Sequence, residues 1–177
     1  MIGLSERPPV ESPTSASPVL ENIAHHEAGH VVVGHKLGLT VLDADIETDD
    51  EGGRGHTNFA HPGAWFKPRP GSLTPAERDF IDRVLTTFMA GIAAESRAGR
   101  IDPEGSGYDL DQSTREWARY LAVSPEARAT LLRDYLRRAS ELVAEPDNWR
   151  AVERVAQALL ERRRLDGATA TSLAAGL

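Results

Sequence analysis

Residues 25–38 read HHEAGHVVVGHKLG, and His26, Glu27 and His30 form the pattern HExxH within them. Apolar residues around this pattern, with a glycine after it, predict a helix over residues 20–37. Two histidines four residues apart lie about 40° apart around a helix, so both imidazoles can reach one tetrahedral zinc ion. The pattern therefore predicts a zinc site on this helix.

The glutamate of the motif is expected to act as the general base. Glu27 lies on the same side of the helix as His30, and its carboxylate can accept a proton from a water molecule held at the open position of the metal. That water can then attack a peptide carbonyl, so we expect a zinc metallopeptidase with His26 and His30 as ligands and Glu27 as general base. The spacing leaves the third ligand open. The candidates are His56, His61, Glu95, Asp109 and Asp111.

The composition excludes several other classes of protein. With 177 residues, 40% of them hydrophobic and 27% charged, the chain suits one globular domain. A formal net charge of -7 argues against a nucleic-acid-binding protein, because no basic stripe is present to neutralise phosphates. The absence of cysteine excludes disulfides and thiolate zinc sites. We expect a cytoplasmic protein, since no apolar run is long enough to span a membrane and the N-terminus does not resemble a signal peptide.

Local signals divide the chain into a leader and a mainly helical domain. Proline and serine predict that residues 1–18 are a disordered leader, and residues 19–177 are predicted to form one domain. Residues 40–47 and 56–60 are predicted strands of a hairpin or small sheet. Further helices are predicted over residues 74–98, 109–122, 124–144 and 146–165. The predicted fold class is therefore mainly α with a small β element.

The HExxH helix and four further blocks of sequence resemble the FtsH-type peptidases, the proteolytic domain of membrane-bound AAA proteases. The helix HHEAGHVVVGHKLG is similar to the HEAGH helix of that family, and Gly55-His56-Thr57 is similar to the Gly-x-Thr of its following strand. Residues 73–96 resemble the family helix that ends in Gly-Arg-Ala-Ala-Glu-Glu. Residues 107–114 resemble Ala-x-Asn-Asp-Leu-x-x-Ala-Thr, and residues 156–167 resemble ALLEKETLDG. Because the blocks stand in family order, the resemblance implies an FtsH-like HExxH zinc peptidase fold.

The resemblance also implies roles for single residues. The aspartate that completes the zinc site in the family corresponds to Asp109, whereas Asp111 falls at a variable position. The first glutamate of the family's helix ending corresponds to Glu95, whose implied role is to orient a ligand histidine. The two histidines and the glutamate of HExxH keep their roles. Ile92 and Ser96 replace the family's arginine and second glutamate, so the shape of the pocket and the contacts between subunits are expected to differ.

No Gly-x-x-x-x-Gly-Lys-Ser/Thr motif occurs, so the sequence predicts no ATPase module. The expected substrates are therefore peptides, unfolded protein segments or one exposed loop of a partner, unless a separate ATPase or adaptor delivers the substrate. The resemblance further implies that identical subunits could assemble as a homo-oligomer. No nucleic acid and no membrane span are expected.

Two other functions remain open from the sequence. The missing motor favours a catalytically silent metal-binding module that serves regulation or interaction, whereas an intact HExxH together with Asp109 favours an enzyme. A third interpretation is a metal-dependent hydrolase of another bond, because activated water does not specify its electrophile. The strand near residues 56–60 could also pair with an extended peptide substrate, or it could be a structural hairpin only.

Overall fold

The structure, a computed structural model, describes residues 17–49, 52–99, 117–121 and 124–177. These residues form five α-helices, three strands and one 3-10 turn. In chain order they are α1 (Pro18–Lys36), β1 (Val41–Asp49), β2 (Gly52–Phe59), α2 (Pro75–Arg97), the 3-10 turn Ala118–Leu121, α3 (Pro125–Ala144), α4 (Pro146–Arg162), β3 (Arg164–Asp166) and α5 (Gly167–Ala175). The predicted class, mainly α with a small antiparallel sheet, is confirmed.

Helix α1 lies at the centre of the domain, in contact with α2, α4 and the first two strands. It begins at Pro18, whose missing N–H costs nothing in the first turn, and it ends before Gly38, which has a positive φ of 77°. Ala24, Ala28, Val31 and Val33 are fully buried in it. Burial of each valine stabilises the fold by roughly 1.5–3 kcal/mol. Because neighbours surround α1, the polar side chains of its HExxH motif are buried as well.

Helix α2 packs against α1 and starts where the sequence predicts. The hydroxyl of Thr74 accepts a hydrogen bond from the backbone N–H of Glu77 at 3.2 Å, and Oε2 of Glu77 accepts one from the backbone N–H of Thr74 at 2.9 Å. This reciprocal pair satisfies two N–H groups that have no partner within the helix. The hydrogen bonds from the backbone and hydroxyl of Thr74 lower the pKa of the Glu77 carboxyl.

The sheet is antiparallel, with strand order β2-β1-β3. The predicted hairpin is present, and Asp45 of β1 lies opposite His56 of β2. Strand β3 joins the other side of β1 by placing Leu165 opposite Ala44. Among the described residues, strand β2 therefore pairs with β1 along one of its edges only. Its other edge, which faces away from β1, has no neighbouring strand within the described ranges.

The predicted helix over residues 146–165 is wrong at its end. Helix α4 stops at Arg162 because Arg163 adopts a left-handed conformation with φ of 66°. Leu165 is then buried in β3, and the side chain of Asp166 accepts a hydrogen bond from the backbone N–H of Thr169 at 2.8 Å to start α5. The burial of Leu165 in the sheet and the capped start of α5 together stabilise the fold more than one further turn of α4 would.

Two other predictions fall largely outside the described residues. These are most of the leader at residues 1–18, where only Ser17 and Pro18 are described, and most of the helix at residues 109–122. The described part of that helix is a 3-10 turn at Ala118–Leu121 rather than an α-helix. Among the described residues, no helix combines the length and the apolar character needed to cross a membrane.

Candidate active site

The three residues of the HExxH motif lie side by side on α1 and are all buried. The rings of His26 and His30 have centroids 4.6 Å apart and planes at 84° to each other. This edge-to-face arrangement follows from their spacing of four residues, since side chains at i and i+4 lie one above the other on a helix. The structure therefore brings the two predicted ligands together.

Glu95, near the end of α2, contacts the first of these histidines. Its Oε1 atom lies 2.7 Å from Nδ1 of His26, and Glu95 is only 2% exposed. Because a carboxylate oxygen accepts, Nδ1 of His26 is the donor, and the lone pair of the neutral imidazole is then on Nε2. This is the contact that a residue orienting a ligand histidine makes.

Gly91 allows the imidazole of His26 to lie directly against α2. A Cβ atom at this position would lie 2.5 Å from Nε2 of His26 and 2.7 Å from two carbons of the same ring, which is closer than real contacts allow. A glycine inside a helix costs about 1 kcal/mol relative to alanine. Its presence in α2 is explained by the space that the histidine needs. Sequence reasoning did not assign this role, although an isolated glycine in a predicted helix is a signal of close approach.

The second histidine is oriented by the backbone of α2. Nδ1 of His30 lies 2.8 Å from the carbonyl oxygen of Thr87, and a carbonyl can only accept. The proton of the neutral ring is therefore on Nδ1, and Nε2 carries the lone pair, as in His26. No sequence pattern indicates this contact, because every residue has a backbone carbonyl.

Strand β2 positions the predicted general base. The hydroxyl of Thr57 donates a hydrogen bond to Oε2 of Glu27 at 2.6 Å. Gly55, two residues earlier on the same face, lies so close that a Cβ atom there would be 2.5 Å from Oε1 of Glu27. Glu27 is 5% exposed, so its carboxylate is held between α1 and β2. Both fixed residues of the Gly-x-Thr motif therefore contact the general base. Gly55 leaves space for the carboxylate of Glu27, and Thr57 donates a hydrogen bond to it.

None of the remaining candidates for a third ligand is placed beside His26 and His30 in the described part of the chain. Asp109 and Asp111 lie outside the described residues. His56 is exposed, with Nε2 2.8 Å from Oδ1 of Asn58, and Nδ1 of His61 accepts a hydrogen bond from the backbone N–H of Gly63 at 3.1 Å. Within the described parts of the chain, no group of three His, Asp or Glu side chains could hold a metal ion. Neither His56 nor His61 is therefore brought into a ligand triad.

A cavity of about 340 Å³ opens beside the motif, between α1, β2 and α2. Glu27 and His30 form one part of its wall, and the segment of β2 from Gly55 to Phe59 forms another. The rest of the wall consists of apolar and small side chains together with His61 and Thr87. The cavity gives an external molecule access to the carboxylate of Glu27.

His26 and His30 would supply two of the donors that a zinc ion requires. Imidazole nitrogens are preferred zinc ligands, and both histidines of the motif direct Nδ1 to an acceptor, which leaves Nε2 as the ligating atom in each. No family model and no curated protein shows a match to this sequence. The evidence for function therefore comes from the side chains and backbone groups of α1, α2 and β2.

Proposed function

We propose that the protein is a zinc-dependent peptidase of FtsH-like fold, with His26 and His30 as metal ligands and Glu27 as general base. The observation that carries the proposal is the pair of hydrogen bonds from the two histidines to α2. Both rings have the tautomer that metal ligation through Nε2 requires, and both bonds are buried. A pair of histidines used only for packing would not need the same tautomer at both positions.

Asp109 is the proposed third ligand, on the basis of its correspondence to the zinc aspartate of the FtsH-type family. A histidine pair with one carboxylate is a common donor set of catalytic zinc sites, and it leaves a fourth position for water or substrate. Glu95 is proposed to hold His26 in its ligating orientation. The backbone of Thr87 does the same for His30.

The proposed reaction is the hydrolysis of a peptide bond. When bound, zinc would supply Lewis acidity, which lowers the pKa of a water molecule at its open position. Glu27 accepts a proton from the attacking water and delivers it to the amine that leaves. Thr57 keeps the carboxylate at one position throughout, because its hydroxyl donates to Oε2 while Oε1 lies beside Gly55.

The proposed substrates are peptides and unfolded or exposed protein segments, bound as an extended strand. Strand β2 is an edge of the sheet in the described structure and also forms part of the cavity that contains Glu27. An extended peptide could add to this edge through main-chain hydrogen bonds, which would give broad selectivity. Replacing residues 57–59 one at a time with proline should raise KM, and unchanged kinetics for all three variants would contradict this binding mode.

The delivery of substrates is part of the proposal. The 177 residues contain no phosphate-binding loop, so we expect either small or unfolded substrates, or delivery by a separate ATPase or adaptor in the cytoplasm. A homo-oligomer remains the expectation that follows from the resemblance to FtsH-type peptidases.

Cleavage of a peptide library tests the proposed function. The purified protein is incubated with the library, and mass spectrometry identifies the new termini. We expect cleavage that disappears when a chelator removes the metal and returns when zinc is added. Cleavage that persists in the fully demetallated protein would contradict the mechanism. Zinc binding without cleavage of any peptide would favour the catalytically silent metal-binding module instead.

A further inference from the structure

The loop between β2 and α2, residues 60–74, lies in a part of the chain that has no negative charge. Residues 52–76 contain no aspartate or glutamate, which is the longest such stretch in the sequence, and they carry three lysine or arginine residues. The whole chain, in contrast, has a formal net charge of -7. A local excess of positive charge attracts negatively charged molecules to the loop rather than to the rest of the surface.

Two of the three cations, Lys67 and Arg69, belong to the loop itself. Both residues are exposed, and among the described residues neither side chain forms an ion pair with a carboxylate. The first two carboxylates after the loop are already bonded. Glu77 is buried and accepts a hydrogen bond from the backbone N–H of Lys67 at 3.1 Å, and Asp79 pairs with Arg83 at 3.0 Å. The charges of Lys67 and Arg69 are therefore available to another molecule.

Trp65 adds an aromatic surface to this charge. It is 51% exposed, although its ring packs edge to face against Phe66 and Phe80, with centroids at 5.6 and 5.7 Å. These contacts hold the exposed part of the indole in one orientation, so little side-chain entropy is lost when another molecule covers it. Tryptophan and arginine are enriched among the residues that contribute most of the energy of protein interfaces.

The backbone of the loop is held in place as well. The N–H of Phe66 donates to the carbonyl of Gly63 at 3.3 Å, and the N–H of Ser72 donates to the carbonyl of Arg69 at 3.0 Å. Prolines at positions 62, 68 and 70 fix three further φ angles. The indole of Trp65 is therefore presented on an ordered loop, and such pre-organisation lowers the cost of binding.

The small number of cations favours a protein as the partner. Segments that recognise anionic lipids contain about four to eight lysines and arginines, and binding to nucleic acid needs a cation for each phosphate that is neutralised. The loop has two. At a protein interface two charges at the rim are enough to select an acidic partner, because an aromatic side chain supplies the contact area.

We propose that Trp65, Lys67 and Arg69 form a docking surface for an acidic segment of a partner protein. An apolar side chain of the segment covers the indole, and carboxylates of the segment pair with the two cations. None of the three residues lines the cavity that contains Glu27. The docking surface can therefore be occupied at the same time as that cavity, and the inference does not depend on the proposed peptidase reaction.

The tryptophans of the chain report where a ligand binds. There are three, of which Trp117 lines the cavity beside the motif and Trp149 lies on α4. Each indole N–H gives one NMR signal in isotope-labelled protein, and replacing each tryptophan in turn with phenylalanine assigns the signals. A ligand on the docking surface shifts the signal of Trp65, whereas a ligand in the cavity shifts that of Trp117.

The probe is a synthetic glutamate-rich peptide that contains one phenylalanine, and its matched copy has glutamine in place of every glutamate. Both are titrated into the Glu27→Gln variant, so that cleavage does not complicate binding. We expect the acidic peptide to shift the signal of Trp65 and to bind at least about tenfold more tightly than the matched copy. Added salt should weaken its binding, because the cations are exposed.

Variants with matched controls test the side chains of the surface. Fluorescence anisotropy of the labelled acidic peptide measures the affinity, and thermal unfolding confirms that each variant is folded. Trp65→Ala should lower the affinity by at least about 30-fold. Leu42→Ala should leave it unchanged, since Leu42 is equally exposed, at 52%, but lies on β1.

The cations are tested without any change to the aromatic contacts. Lys67→Gln should lower the affinity for the acidic peptide by roughly two- to fivefold. Lys36→Gln, which removes an exposed cation at the end of α1, should have no effect. This pair of variants keeps the proposal testable if Trp65→Ala proves unstable. Equal affinities of Lys67→Gln and Lys36→Gln would overturn the role of the loop charges.

The remaining outcomes decide the kind of partner. Equal binding of the acidic and matched peptides, a shift of Trp117 without Trp65, or no shift of any indole overturns the docking surface. Vesicles of phosphatidylcholine with phosphatidylserine are tested in parallel. Binding to these vesicles that depends on Trp65 and is tighter than binding to the acidic peptide would overturn the protein partner in favour of a lipid surface. The cleavage of a peptide library tests the proposed function separately, because it does not involve Trp65.

Discussion

Nδ1 of His26 lies 2.7 Å from Oε1 of Glu95, although 69 residues separate the two along the chain. Both side chains are buried, so water does not compete for this hydrogen bond. The bond fixes the tautomer and the rotation of the ring at the same time. The bond thus links the end of α2 to the predicted metal site on α1. It also explains why a glutamate is buried at this position of α2.

Replacement of Glu95 should weaken zinc binding. In Glu95→Gln the acceptor loses its charge, and we expect the affinity for zinc to fall by about 10- to 100-fold, as for other residues that orient metal ligands. Competition with a coloured chelator measures this affinity. Glu47→Gln is a suitable control, because Glu47 is exposed, pairs with Arg54 and does not line the cavity beside the motif. An unchanged zinc affinity in Glu95→Gln would contradict the orienting role.

Gly91→Ala should lower both stability and zinc affinity. Helix propensity alone predicts the opposite, a stabilisation of about 1 kcal/mol. However, the new methyl group would collide with the ring of His26, including its Nε2 atom. Thermal unfolding of the metal-free protein gives the sign of the change in stability. A rise in Tm would show that the ring and α2 are not in the close contact described above.

Thr57→Val should reduce catalysis without removing the metal. The substitution keeps the shape of the side chain but deletes the hydroxyl that donates to Glu27. A hydrogen bond to a charged group contributes about 1.5–3 kcal/mol, so we expect kcat/KM to fall by roughly 10- to 150-fold. Zinc content should stay the same, and Thr57→Ser should restore most of the activity. Equal activities of the valine and serine variants would refute the positioning role of Thr57.

The parts of the fold that the sequence predicts are those with local signals. Helix α2 has a capping box at Thr74 and Glu77, and both hydrogen bonds of that box are present. The missed third strand has only three residues, Arg164–Asp166, which is too short for its polar-apolar-polar alternation to predict a strand. It forms because Leu165 meets Ala44 after the chain has folded back over more than a hundred residues. Propensity within a short window contains no information about such a pairing.

The residues of the candidate site also fall into two groups, those that the sequence predicts and those that only the structure shows. His26, Glu27 and His30 follow from one helical motif, and Glu95 follows from the resemblance to FtsH-type peptidases. The carbonyl of Thr87 has no signature in the sequence, because its role depends on where α2 lies relative to α1. Glycines at residues 55 and 91 are visible in the sequence, but only the structure shows which side chains approach them.

The most direct test of the central claim is a comparison of Glu27→Gln with the unaltered protein. Glutamine keeps the size of the side chain and its hydrogen bond from Thr57, but it cannot accept a proton as a general base. We expect both proteins to bind about one zinc ion per chain, and we expect peptide cleavage in the variant to fall by at least a factor on the order of 10². Equal rates of cleavage by the two zinc-loaded proteins would contradict the assignment of Glu27 and the peptidase mechanism that depends on it.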